Sequence, residues 1–320
     1  MLRLEYENKK KLSDVKAAYK ALITKDIDGG WDNLIKDYPV MKSVLSSGMK
    51  ASDLLIAPFE TLVDVYFKFE AIKGKLEEAD IAKINTKAGK IFTYSSYKDK
   101  IAKFFMNPDY GFEIYNCFYC ELENVRKYTD DKGVERHLFE IEHVLDKGTC
   151  PMVGLSLFNF VPSCGHCNSQ GVKGNHTIGT TKKDVKKLSP TVPDYDFEHK
   201  VIFVLDAKGS IIKDLKMTDH LDDYDISFFY LDGLYKASVD LFQLHSRYNS
   251  EPYKSQLLAL VQKRHNNPDN YIQELAKMSH CSYDEVLKEQ FDLGISEKCH
   301  WTMNKARHDL IRNSLMPVVI

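Results

Sequence analysis

Cys117-Phe-Tyr-Cys120 and, after 43 intervening residues, Cys164-Gly-His-Cys167 are the two stretches whose reading decides the core of this chain. A Cys-x-x-Cys sequence makes a tight turn whose thiolates point the same way. Two such turns supply four sulfurs, a set suited to tetrahedral zinc at ~2.3 Å per bond. The interval leaves room for a β-hairpin and a loop, and the metal would tie its ends together. A single pair would also suit a thioredoxin-like redox site; two pairs argue against that. His166, inside the second turn, is an alternative donor, but Cys117, Cys120, Cys164 and Cys167 need no fifth ligand. The other cysteines, at 150, 281 and 299, have no partner at ligand spacing and read as structural.

Such a site is structural by itself, so any chemistry must come from what lies inside it. Three features stand there: Ile141-Glu142-His143-Val144, Asn159-Phe-Val-Pro-Ser-Cys164, and Asn168 directly after Cys167. Phosphodiester hydrolysis needs a base that is neutral near pH 7, which histidine provides. It also uses a hard divalent cation, which takes oxygen ligands such as a carboxylate and an amide carbonyl. His143 supplies the first, and Glu142 and Asn168 the second. Neighbours on an ideal strand face opposite sides, so Glu142 and His143 can serve one site only at a strand end or a bulge. Taken singly, a strand histidine, a glutamate or an asparagine after a cysteine is usually a packing, solvated or turn residue. The weight rests on their order between two knuckles.

That order resembles the HNH endonucleases of the ββα-metal fold. The resemblance covers about 60 of the 320 residues. It implies that His143 is the general base, that Glu142 before it is a cation ligand, that Asn159 orders the loop positioning the histidine, and that Asn168 completes the cation site. It further implies a first strand through Glu142 and His143, a second near Phe160 and Val161, and a helix after Cys167. Two departures matter. Glutamate stands where the family more often has aspartate. Gly171 and Val172 lengthen the run to Lys173-Gly-Asn-His176, which makes Asn175 and His176 alternatives to Asn168. Asn168 is preferred because it follows Cys167 directly.

The flanks set the frame. Hydrophobic residues make up 43% and charged residues 28%, the balance of a globular chain. No run approaches a membrane span, and Met1-Leu-Arg-Leu-Glu-Tyr6 lacks the apolar core of a signal peptide, so a cytoplasmic location is expected. The net charge of −2 is not that of a basic nucleic-acid binder, although residues 142–190 hold six lysines against three acids. Apolar residues recur at helical spacing in the first hundred residues, as at Leu12, Val15, Tyr19 and Leu22. Residues 112–125 and 134–144 look β-like around the turn cluster Thr129-Asp-Asp-Lys-Gly133. Residues 201–205 and 211–215 read as a hairpin, and the chain is helical again from about 233.

The expected fold is therefore α+β, in three parts. Residues 1–109 form a helical region, 110–192 the HNH core with its four-cysteine zinc site, and 193–320 a hairpin plus helices. The expected function is a metal-dependent endonuclease acting on DNA, with structural Zn²⁺ and catalytic Mg²⁺ or Mn²⁺. The layout is also similar to HNH proteins of antiphage systems of the Septu and retron-linked types, which implies an ATPase or other regulatory protein as partner and no membrane. The alternative is a zinc-ribbon module that binds nucleic acid or protein without catalysis.

Overall fold

Pro58 cannot donate a backbone hydrogen bond and so stands as the N-cap of a helix, α3 (Phe59–Lys73), that runs to Gly74. It belongs to a helical series in the computed structural model, which describes residues 1–179, 181–207, 220–293 and 301–313. The series is α1 (Leu12–Leu22), α2 (Ile27–Asp37), α3, α4 (Glu78–Ile91) and α5 (Lys98–Met106). The expected stripe on α1 is buried at Val15 and Tyr19. Asp26 caps α2 by accepting the Gly29 amide at 2.9 Å. Tyr97 stands at the N-cap of α5 and makes no side-chain cap bond.

The expected α+β class is what the chain adopts: helices with short antiparallel strand pairs. β1 (Lys127–Thr129) pairs with β2 (Glu135–His137) across the predicted turn cluster, where Gly133 takes a left-handed φ of 76°. β3 (Glu140–His143) pairs with β4 (Phe160–Ser163), and α6 (Gly165–Asn168) follows at once. Residues 112–125, which alternate like a strand, are turns and extended chain around the first cysteine pair. A Cys-x-x-Cys turn cannot continue a strand, which is the physical reason.

After α7 (Lys182–Val185) and α8 (Phe197–Lys200), β5 (Val201–Ala207) pairs with β6 (Tyr224–Tyr230). The return strand expected at 211–215 lies outside the described residues, and β6 was not anticipated. The C-terminal helices are α9 (Lys236–Leu241), α10 (Leu244–Tyr248), α11 (Glu251–Asn266), α12 (Asp269–Ser279), α13 (Tyr283–Gln290) and α14 (Asn304–Asn313). The helical stretch expected from about 233 is interrupted between α9 and α10, where Gln243 is left-handed at φ 52°.

The described chain forms two compact units: Met1–Tyr119 with Val125–Tyr195, and Cys120–Asn124 with Asp196–Ile320. The first unit has an aromatic core around Phe104, Phe105, Phe112 and Tyr19. Burying each such ring contributes about 1.5–3 kcal/mol. In the second unit Leu260, Ile272, Val286, Leu287, Phe291 and Ile311 form one cluster. Buried Lys305 there is paired with Asp309 at 3.1 Å.

Candidate active site

The sulfur atoms of Cys117, Cys120, Cys164 and Cys167 all lie within 4.8 Å of one another, and all four residues are buried. A tetrahedron with ~2.3 Å metal–sulfur bonds has edges of ~3.8 Å. The donor set therefore fits a metal such as zinc with only small side-chain adjustment. Cys164 caps α6 by accepting the Cys167 amide at 3.4 Å, and Arg247 donates to the Cys120 sulfur at 3.4 Å. Both bonds favour the thiolate form that binds metal. Cys150 differs: burial pushes its thiol up to about 12, so it stays neutral and inert.

The β3–β4 register runs unbroken, with Glu142 opposite Val161 and His143 opposite Phe160. No bulge turns the two side chains to one side. They follow the pleat and meet different neighbours. His143, the last residue of β3, is 5% exposed. Its Nε2 lies 3.1 Å from the Gly154 carbonyl oxygen. A carbonyl only accepts, so Nε2 carries the hydrogen and the neutral ring keeps its lone pair on Nδ1. Tyr94 and Phe160 meet the ring edge-to-face, with centroids at 4.5 and 5.0 Å. Burial, with Lys147 next, holds the imidazole well below its ordinary pKa.

Glu142 is 2% exposed. Its Oε1 is ion-paired with Lys173 Nζ at 2.7 Å, and its Oε2 accepts the Tyr119 hydroxyl at 2.5 Å. Burial and the adjacent Glu142 hold the Tyr119 phenol well above its usual range, so it stays a donor. Asn168 is half-buried, and its Nδ2 donates to the Glu140 carboxylate. Asn175 and His176 are exposed. Thus Glu142 and Asn168 have different partners in this arrangement. As they stand, they do not fit a divalent cation, because both Glu142 oxygens are already engaged.

Asn159 is fully buried and braces the loop after β3. Its Oδ1 accepts the Leu145 amide at 2.7 Å, and its Nδ2 donates to the Leu145 and Val153 carbonyls, each at 3.0 Å. Asn159→Ala leaves the buried Leu145 amide and carbonyl without this partner, at ~1–3 kcal/mol each, while the Val153 carbonyl keeps the Ser156 amide. The expected result is a loss of about 3 kcal/mol or more in denaturant unfolding; a wild-type midpoint would remove Asn159 as the brace.

Sequence reading missed the groups that finish this site. Gly154 lies on the loop between β3 and β4, which the N-terminal helices hold in place. Tyr19 on α1 donates to the neighbouring Leu155 carbonyl at 2.8 Å, and Lys73 on α3 donates to the Thr149 carbonyl at 3.0 Å. Tyr119 and Tyr94 gave no signal beyond aromatic character. Lys173 was visible only as one lysine in a basic stretch.

The fold and site together define an α+β protein with a buried four-cysteine cluster that could hold a metal such as zinc, and a pair of antiparallel strands that carries a buried, neutral histidine. A bacterial relative, the Septu protein PtuB of Bacillus thuringiensis, is 34% identical over 116 residues. The match covers 34% of this chain and 37% of that protein, so it spans about a third of either. No family model matches the chain, and no solved structure matches it. Among the described residues, no helix is long and apolar enough to cross a membrane.

Proposed function

We propose that this protein is an HNH-type endonuclease that hydrolyses DNA in antiphage defence, with His143 as the general base. The observation that carries the reading is the His143 ring itself. It is neutral at physiological pH, oriented by the Gly154 carbonyl, and has Nδ1 as its basic nitrogen. In this reading Nδ1 takes a proton from water as the water oxygen attacks phosphorus. The P–O3′ bond breaks, leaving a 5′-phosphate and a 3′-oxygen that is protonated by solvent. The Gly154 carbonyl then stabilises the imidazolium that forms, and Asn159 keeps Gly154 in place through the loop. A bound Mg²⁺ or Mn²⁺ would neutralise charge at the scissile phosphate. Glu142 and Asn168 are its proposed ligands, in an arrangement other than the one described above.

Similarity to a Septu protein supports the defence role; an ATPase or other regulatory protein is the proposed partner. The test is supercoiled plasmid incubated with Mg²⁺ or Mn²⁺, with and without EDTA, alone and with a co-expressed partner. Metal-dependent nicking supports the reading.

The pH dependence has a definite sign. A base whose pKa is lowered loses its proton earlier as pH rises. The acid limb of the cleavage profile is therefore expected below pH 6.5, with a plateau through neutrality; a limb centred above pH 7 would exclude His143 as the base.

A second reading, a non-catalytic zinc-ribbon module, is favoured by one observation: Glu142 is already neutralised by Lys173. It predicts nucleic-acid or protein binding with no cleavage under any metal.

A further inference from the structure

Lys173 is the most completely buried charged side chain at the site, with 0% of the residue exposed. Burying an ammonium is costly unless it is paired and hydrogen-bonded. Lys173 is both. Its Nζ sits 2.7 Å from Glu142 Oε1 and donates to the His143 carbonyl at 2.9 Å. One positive charge thus touches both residues that the sequence marks for chemistry. The remaining Glu142 oxygen is held by Tyr119, from inside the first cysteine turn.

The segment that delivers Lys173 is built from turns. Val172 and Gly174 donate to the Ser169 carbonyl, Lys173 donates to the Cys167 carbonyl, and Gly174 is left-handed at φ 47°. The histidine is covered as well, by Tyr94.

We propose that Lys173 is an internal counter-ion that stands in for a divalent cation at Glu142, so that the cation enters only when the turn segment 169–176 withdraws the ammonium. The two cations compete for the same oxygen, and like charge keeps them from sharing it. The inference rests on the reading of Glu142 as a cation ligand. It adds a gate that the reading does not require.

The test uses the full zinc-loaded chain and Mn²⁺ alone as probe, with unbound Mn²⁺ followed by electron paramagnetic resonance. Lys173→Gln keeps hydrogen-bonding groups toward both oxygens but removes the charge. It is expected to bind Mn²⁺ at least tenfold more tightly than wild type, and the gain should vanish in Lys173→Gln combined with Glu142→Gln. Lys173→Met is run in parallel, and zinc stoichiometry shows which variant is folded. Equal Mn²⁺ affinity in wild type and the folded Lys173 variant overturns the proposal, as does a gain that survives loss of the Glu142 carboxylate. Plasmid nicking separates this from the nuclease reading. Tighter, Glu142-dependent Mn²⁺ binding without any cleavage leaves the counter-ion standing and sinks the nuclease. Cleavage that depends on His143, with no change in Mn²⁺ affinity, does the reverse.

Discussion

His143→Ala is expected to lower metal-dependent plasmid nicking by about 10²–10⁴-fold, the usual contribution of a positioned general base. The effect is chemical if the fold survives, and the surroundings allow that to be checked. The ring packs between Tyr94 and Phe160 and donates to Gly154, so alanine also leaves a small cavity and an unpaired carbonyl. His143→Gln separates the two effects. It can still donate toward Gly154 but offers no nitrogen base. Loss of nicking in both variants, with zinc content and circular dichroism unchanged, assigns the base. Wild-type nicking in either would refute it.

The buried ring adds a stability signature of its own. In the folded chain the imidazole resists protonation, whereas in the unfolded chain it titrates near 6.5. Below that pH the unfolded state binds more protons, so stability contributed by this group is complete above about pH 6.5 and falls as pH drops. His143→Gln should flatten that part of the profile.

Cys164→Ser is expected to have the largest effect on folding. Structural zinc contributes an apparent ~10–16 kcal/mol in zinc-finger peptides at pH 7, as much as the whole stability of a typical domain. Cys164 is a member of the sulfur cluster and also caps α6 through the Cys167 amide. Serine supplies an oxygen in place of the sulfur as cap acceptor, but not the soft ligand. Wild type should release one zinc per chain when its thiols are titrated with a mercurial, and the variant far less, with a strongly lowered melting temperature. A zinc-free wild type, or a variant that melts unchanged, would mean that the four cysteines hold no structural metal.

Much of this region was legible before any coordinates. The two Cys-x-x-Cys turns come from ligand spacing and a strand running up to His143 from its β-like texture, whereas the second strand through Phe160 and Val161 was implied only by the HNH resemblance; the helix that the resemblance puts after Cys167 instead starts at Gly165 and ends at Asn168, with turns beyond it. The same local logic erred at residues 112–125, whose alternation serves two turns rather than a strand. It also missed β6, whose pairing with β5 is decided by a partner more than fifteen residues away.

The sequence by itself determined which residue types stand between the knuckles, and that Glu142 and His143 could share one site only at a strand end or a bulge. It could not determine what each would meet. Glu142 turned to Tyr119 and Lys173, and His143 to Gly154, Tyr94 and Phe160. Periodicity speaks of a residue's own strand or helix, whereas a buried charge is satisfied by whatever the fold delivers. The Lys173 ammonium comes from a turn thirty residues beyond the His143 carbonyl that it binds. Because an unpaired buried charge is so costly, that long-range pairing, and with it the state of the site, was decided by tertiary structure alone.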